Sequence, residues 1–198
     1  MFDHIFEVVF LIGYGIYFFG IYVPNIRRFK RSKVLDDRTR VLDIVLDFST
    51  FGGWQVLPLI AIFSPWLDFA DFPLPAWAGW VGAAIFAGTL VLLWHAYADL
   101  GSQWSPKIDV REGQALVTSG VFRHIRHPIY AGMWLWAIAQ PLLLQNWIAG
   151  FAFLVLFTPL YLLRVPREEQ MMLDHFGEDY RRYLARTGRV LPRLRNID

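Results

Sequence analysis

No cysteine occurs among the 198 residues, which excludes disulfides, thiolate nucleophiles, zinc–thiolate sites and palmitoylation, and is silent on compartment. Neither an internal repeat nor a low-complexity linker divides the chain. The start, Met1-Phe2-Asp3-His4, lacks basic residues and no small-x-small site follows, so the first apolar segment is expected to be retained rather than cleaved as a secretory signal. His4, His124, His127 and His175 form no ligand set of recognised spacing, so no metal is expected. A formal charge of +2 is small and sorted along the chain, which favours retention of basic loops on the cytoplasmic side of a membrane over nucleic-acid binding.

Apolar residues are abundant. They make up 56% of the chain and aromatics 17%, with a mean hydropathy of +0.36, all above the soluble average, so an integral membrane protein is expected. The apolar residues gather in blocks at 5–23, 44–63, 76–98 and 131–163. Each of the first three is long enough for a hydrocarbon core that takes about 20 helical residues. The fourth is too long for one span and is broken at Leu144-Gln145-Asn146-Trp147, which predicts a tight helical hairpin with unequal arms, 132–144 and 147–163. The shorter arm must be short, tilted or capped by protein. The expected fold is an all-α integral membrane protein with five transmembrane helices, helices 4 and 5 forming the hairpin.

Charge orients the helices. Loop 24–43 carries Arg27, Arg28, Lys30, Arg31, Lys33, Arg38 and Arg40, whereas 64–75 has no Lys or Arg. Basic residues collect on the cytoplasmic side in short loops, so the first loop is expected inside and the amino terminus outside. Alternation then puts loop 99–130 and the tail 164–198 together in the cytoplasm. Turn signals at Gly101-Ser102, Ser105-Pro106, Glu112-Gly113 and Ser119-Gly120 predict a structured loop. Over 166–184, Met171, Met172, Phe176 and Tyr180 recur at helical spacing with Glu168-Glu169 in the first turn, which predicts an amphipathic helix continuing the last span after a proline kink.

Ionisable residues in or beside the spans are the candidates for chemistry, because each costs about 2.5–3.5 kcal/mol at a helix centre. Glu7 and Asp43 lie near helix ends, where water is close. Asp47 is deeper, one turn from Asp43, and serves packing or function. His95 and Asp99, also one turn apart, fit an ion pair or a helix-end contact as well as catalysis. Arg164, at the end of the last span, either snorkels to headgroups or forks onto a carboxylate or phosphate. Glu168 lies four residues on, so a continuing helix puts it on the face of Arg164, as a salt bridge or as the second half of a site. In Arg126-His127-Pro128 the proline keeps His127 extended and opens the next helix. Free amides at that helix start suit an anionic or carboxylate-bearing ligand.

These residues carry a resemblance. Leu116-Val117-Thr118-Ser119-Gly120-Val121-Phe122, then Arg126-His127-Pro128-Ile129-Tyr130-Ala131-Gly132, then Arg164 with Glu168-Glu169, then Phe176-Gly177-x-x-Tyr180-x-x-Tyr183, resemble the isoprenylcysteine carboxyl methyltransferase family. The ordered set spans about half of the chain, and the five-helix layout resembles the short prokaryotic members. The resemblance implies one membrane methyltransferase domain over 1–198, with three transmembrane helices in 1–99 and the cofactor-binding and catalytic half in 100–198. It implies methyl transfer from S-adenosyl-L-methionine to the carboxylate of a lipophilic, isoprenylcysteine-like acceptor at the cytoplasmic face. A G-x-G-x-x-G after a strand does not occur, in keeping with a cofactor site outside the Rossmann fold.

By the same resemblance, Gln114, Ala115, Leu116, Val117, Phe122, His127, Pro128, Ile129, Tyr130 and Glu168 would enclose the cofactor, with Lys107 near. Arg164 would hold the acceptor, and Arg164 and Glu168 would form the catalytic pair. Phe122 stands where the animal members are expected to carry tyrosine, which removes a hydroxyl. The implied partners are a lipophilic or lipidated substrate and membrane lipids; oligomeric state is left open. Two other membrane enzymes share the layout: phospholipid or amine N-methyltransferases, for which Arg164 is less well explained, and NADPH-dependent sterol reductases. A non-enzymatic membrane scaffold is the remaining alternative.

Overall fold

The computed structural model of the chain describes residues 4–29 and 33–193. Met1, Phe2 and Asp3, the Lys30 and Arg31 of the basic loop, and residues 194–198 lie outside the described residues. Four helical spans are long and apolar enough to cross a membrane: Ile5–Arg27, Val41–Phe63, Ala76–Gln103 and Trp147–Phe176; Pro128–Leu144 is a shorter apolar helix. The chain is an integral, multi-pass, all-helical membrane protein, with one small addition at its loop end.

The first span runs through α1 (Ile5–Gly15), a π-helical stretch (Ile16–Tyr22) and α2 (Val23–Arg28). A two-stranded sheet begins with β1 (Val34–Asp37). The second span repeats the first design, as α3 (Val41–Phe51), a π-helical stretch (Gly52–Val56) and α4 (Leu57–Phe63). Each π stretch ends just before a proline, Pro24 or Pro58. Proline cannot donate to the ladder and its ring crowds the carbonyl four residues back, so the helix widens by one residue upstream. Hydropathy carries no sign of this, and the sequence predicted plain helices here.

The third span is α5 (Ala76–Leu100), followed by loop 101–127 with β2 (Asp109–Arg111), which pairs antiparallel with β1. The register sets Val34 opposite Arg111 and Asp37 opposite Asp109, and Arg38 N–H to Ile108 C=O (2.9 Å) extends it. This two-stranded sheet is an addition to the expected all-α fold. Two loops 70 residues apart in sequence meet here, and no local pattern announces such a pairing.

The predicted hairpin is present: α6 (Pro128–Leu144) and α7 (Trp147–Phe176) are joined at Gln145-Asn146. Asn146 caps α7, its Oδ1 accepting from Ile148 N–H (3.0 Å) and Ala149 N–H (2.8 Å). Its Nδ2 donates to Leu67 C=O and Asp71 Oδ1, both at 2.7 Å. Seventeen residues make α6 about 25 Å long, short of a hydrocarbon core of about 30 Å. The protein makes up the difference by enclosing it. Trp136, Ala137, Ala139, Gln140 and Leu143 are buried, and Trp136 is ringed by Phe10, Tyr17, Trp54, Phe86 and Phe153. Gln140 Nε2, deep in that core, donates to Gly53 C=O (3.0 Å) and Ala149 C=O (2.6 Å). Gly53 must be glycine, because a Cβ there would run into the Ala152–Phe153 backbone.

The single helix predicted over 166–184 is two. The helix passes through Pro166 without ending and stops at Gly177, whose φ of +55° a side chain would strain; α8 (Glu178–Arg186) follows.

Candidate functional site

Arg164 lies where α7 leaves the core and is 8% exposed, so a charge there must be compensated. Its Nε donates to Glu168 Oε1 (2.8 Å), Nη1 to both oxygens of Asp47 (2.9 and 3.2 Å), and Nη2 to Pro106 C=O (2.9 Å). The four-residue spacing of Arg164 and Glu168 therefore produces a bonded pair on one helix face. Glu168 Oε1 also accepts from Tyr130 O–H at 2.7 Å, which joins α6 to α7. The other oxygen, Oε2, is 3.9 Å from His127 Nδ1.

One turn along α3, Asp43 has a different setting. It is 1% exposed, accepts from Arg40 N–H (2.7 Å) to cap the helix, and pairs with both Nη groups of Arg167. Its role is structural, while Asp47 faces the Arg164 fork with its side chain 49% exposed. Of the other pair left open by the sequence, Asp99 accepts Val121 N–H (2.8 Å) and so pins the loop to α5, while His95 is exposed.

The Arg126-His127-Pro128 element is held from behind by the tail. Arg126 N–H donates to Gly188 C=O and His127 N–H to Arg189 C=O, both at 2.9 Å. These two amides, which precede the helix, are thus occupied by the chain itself. Glu169 is the hub beneath: it accepts from Arg126 Nε (3.1 Å) and Arg189 (3.1 and 2.5 Å), and lies 3.2 Å from His127 Nε2. Tyr183 O–H, on α8, donates to Phe122 C=O (2.6 Å). Burial pushes the Tyr183 phenol up to about 12 and raises that of Tyr180, so both are neutral donors at ordinary pH.

These elements enclose a cavity of about 540 Å³. Gln114, Ala115, Leu116, Val117, Phe122, His127, Pro128, Ile129, Tyr130, Arg164 and Glu168 all line it, as does Lys107. On the loop side the wall includes the polar Gln103, Ser105, Lys107, Asp109 and Gln114. Between the spans it is apolar and aromatic, with Phe48, Phe51, Trp54, Met133, Phe157 and Leu160. Arg164, Asp47 and Glu168 stand where the two sides join. Asp109, also in the wall, is 3% exposed; its Oδ2 accepts from Arg111 Nη2 (2.6 Å) while Oδ1 has no hydrogen-bond partner among the described residues.

Sequence reasoning missed the Pro106 carbonyl, the Glu169 hub, Arg189 and Asp109, and left Asp47 undecided. A carboxylate one turn inside a span was a usable signal for Asp47. The others depend on tail and loop contacts that have no local signature.

Fold and site together define a class: an all-helical membrane protein with an ionic site at the junction between a polar loop cradle and an apolar interhelical chamber. Residues 80–174 match the model of the isoprenylcysteine carboxyl methyltransferase (ICMT) family. The chain is 24% identical over 186 residues to a protein-S-isoprenylcysteine O-methyltransferase of Dictyostelium discoideum, covering 88% of this chain and 77% of that one. It is 34% identical over 86 residues to protein-S-isoprenylcysteine O-methyltransferase A of Arabidopsis thaliana, covering 43% of this chain and 44% of that one. With the human protein of the same name it shares 26% over 147 residues, 70% of this chain and 52% of the other. The chain thus spans about half the length, or less, of the plant and human relatives. A solved eukaryotic intramembrane Ras methyltransferase ICMT has the same fold, with a TM-score of 0.52 and 22% identity over 80% of this chain and 54% of that one. Residues 80–174 are thus similar to the isoprenylcysteine carboxyl methyltransferase family, and the chain shares the fold of a solved member.

Proposed function

We propose that this protein transfers a methyl group from S-adenosyl-L-methionine to the carboxylate of a lipophilic, isoprenylcysteine-like acceptor at the cytoplasmic face of the membrane, the whole of 1–198 acting as one domain. The observation that carries this reading is the single cavity that is polar on its loop side and apolar between the spans, with Arg164 where they join. A water-soluble cofactor and a lipid-borne acceptor must approach from such different directions and still meet.

The residues fit the cofactor. A zwitterionic amino-acid group needs both an anionic and a donor-rich wall, and a nucleoside needs apolar faces with a few acceptors. Glu168 Oε2 and His127 supply the first, Ile129, Met171 and Tyr180 the second, and the orphaned Asp109 oxygen is a further acceptor in the same wall. When bound, S-adenosyl-L-methionine supplies an activated methyl group, whose bond to sulfur breaks, leaving its electron pair on sulfur, as the bond to the acceptor oxygen forms.

The chain's own part is alignment. An ionised carboxylate is already a nucleophile, so no general base is required. Arg164 holds the acceptor oxygen in line, and effective concentration supplies much of the rate. Glu168 fixes both the guanidinium and the cofactor end, and Tyr130 fixes Glu168. The planar guanidinium fork suits a carboxylate, which accepts its N–H groups, better than an amine, which offers them no comparable acceptor. The amino terminus is placed outside and the site inside by the basic first loop.

The test is methyl transfer by purified protein in lipid. N-acetyl-S-farnesylcysteine is expected to be methylated and phosphatidylethanolamine not, with calorimetry showing binding of S-adenosylhomocysteine and not of NADPH. Transfer to phosphatidylethanolamine alone, or binding of NADPH alone, would overturn the reading.

A further inference from the structure

Resting on that reading, we infer that Asp47 is an internal stand-in for the acceptor: its carboxylate occupies the Arg164 fork between turnovers, yields it to the incoming acid, and reclaims it from the ester product.

Three observations converge on this. All three guanidinium nitrogens are engaged, with Nε on Glu168, Nη2 on Pro106 C=O and Nη1 on both oxygens of Asp47. One Nη2 hydrogen is left over, so an acceptor carboxylate can take a two-point grip on Arg164 only by displacing one of these partners. Glu168 and Pro106 are poor candidates, since Glu168 is also held by Tyr130 and the other is main chain of the loop. Among the described residues Asp47 has no other hydrogen-bond partner, and its side chain is 49% exposed against 19% for Glu168. It is the partner that can leave at least cost.

Asp43 shows the contrast on the same helix, one turn away. It is tied to Arg40 N–H and Arg167 and has 1% exposure, so a fixed structural carboxylate was available in this fold and Asp47 is not built that way. Charge points in the same direction. Asp47 and Glu168 give the cluster with Arg164 a net charge of −1, and a third carboxylate arriving beside them would make it −2 in a poorly screened site. Exchange of one carboxylate for another keeps the charge constant. Methylation then removes the acceptor's charge, and the neutral ester cannot hold the fork against Asp47, which favours release of product over its retention.

The experiment compares acid and ester ligands on the wild type and on Asp47→Asn and Asp47→Ser. In lipid, the KM for N-acetyl-S-farnesylcysteine is expected to fall about three- to fivefold in both variants, the size of a half-exposed ion pair no longer competing. The inhibition constant of its methyl ester is expected to stay within about twofold of wild type, because a neutral group does not contest the fork. A merely structural role for Asp47 would move acid and ester together. An unchanged or higher acid KM, or parallel shifts of both ligands, overturns the inference while the wild type's turnover leaves the proposed reaction standing. Wild-type protein that binds S-adenosylhomocysteine and does not methylate the acid overturns both. Variants that no longer bind S-adenosylhomocysteine would show Asp47 to be a structural prop, and overturn the inference alone.

Discussion

Arg164 draws on three distant stretches of chain at once: Glu168 on its own helix, Asp47 on the second span and Pro106 in the loop. Only the first was legible from spacing, because a four-residue interval on a helix is geometry the sequence itself sets. The planar fork is what serves three directions, and lysine cannot copy it. Arg164→Lys keeps the charge and loses at least two charge-assisted hydrogen bonds, each of about 1.5 kcal/mol. Methyl transfer is expected to fall about a hundredfold. Initial rates with labelled donor measure this, and binding of S-adenosylhomocysteine is expected to persist. Unchanged turnover would remove Arg164 from the acceptor site. The Glu169 hub shows the complementary limit, since a glutamate beside Glu168 does not advertise Arg126, His127 and Arg189 as its partners.

Among the elements, the hairpin and the α7–α8 joint carry the site. The polar break at Gln145-Asn146 marked the hairpin in the sequence because its amide has two tasks there, capping α7 and tying the hairpin to Leu67 and Asp71. The joint was not placed, because Phe176-Gly177 continues the helical spacing of apolar residues and only the backbone sign at Gly177 stops the helix. Open space surrounds a Cβ at that position, so Gly177→Ala is expected to act through backbone strain alone, costing about 1–3 kcal/mol. That corresponds to a lower midpoint of thermal unfolding by about 2–4 °C per kcal/mol, measured in detergent with a fluorescent reporter. A midpoint equal to wild type would mean that α8 docks without the left-handed residue. The π stretches before Pro24 and Pro58 were equally hidden. Proline is visible in sequence, but whether a span ends, bends or widens at it depends on the helices packed around it.

The molecule as a whole brings loop 101–127, the tail and the first loop to one end of the bundle, through β1–β2, the Ile125–Gly188 bridge and the Arg38–Asp174 pair (2.7 Å). The absence of cysteine makes their common side directly testable. In cells, Asp68→Cys on the loop between the second and third spans is expected to react with an impermeant maleimide from outside, and Glu178→Cys only after permeabilisation. Both positions are exposed in the fold. The reverse pattern would invert the proposed orientation.

Membrane residence, the spans, the hairpin and the Arg164–Glu168 pair were determined by the sequence alone, because hydropathy over 20 residues and helical spacing over four are properties of contiguous chain. The resemblance to the isoprenylcysteine carboxyl methyltransferase family was legible for a related reason: its motifs are contiguous stretches of chain, and residues 80–174 match that family's model. Tertiary structure decided what contiguous chain cannot express. It set Asp47 on the Arg164 fork and Asp43 against Arg167, although both are aspartates on one helix, because each meets a different arginine of α7. It also closed the cavity, whose walls come from the first three spans, loop, hairpin and α8. Packing of segments far apart in sequence set their distances, and at those distances a pair of motifs becomes a site.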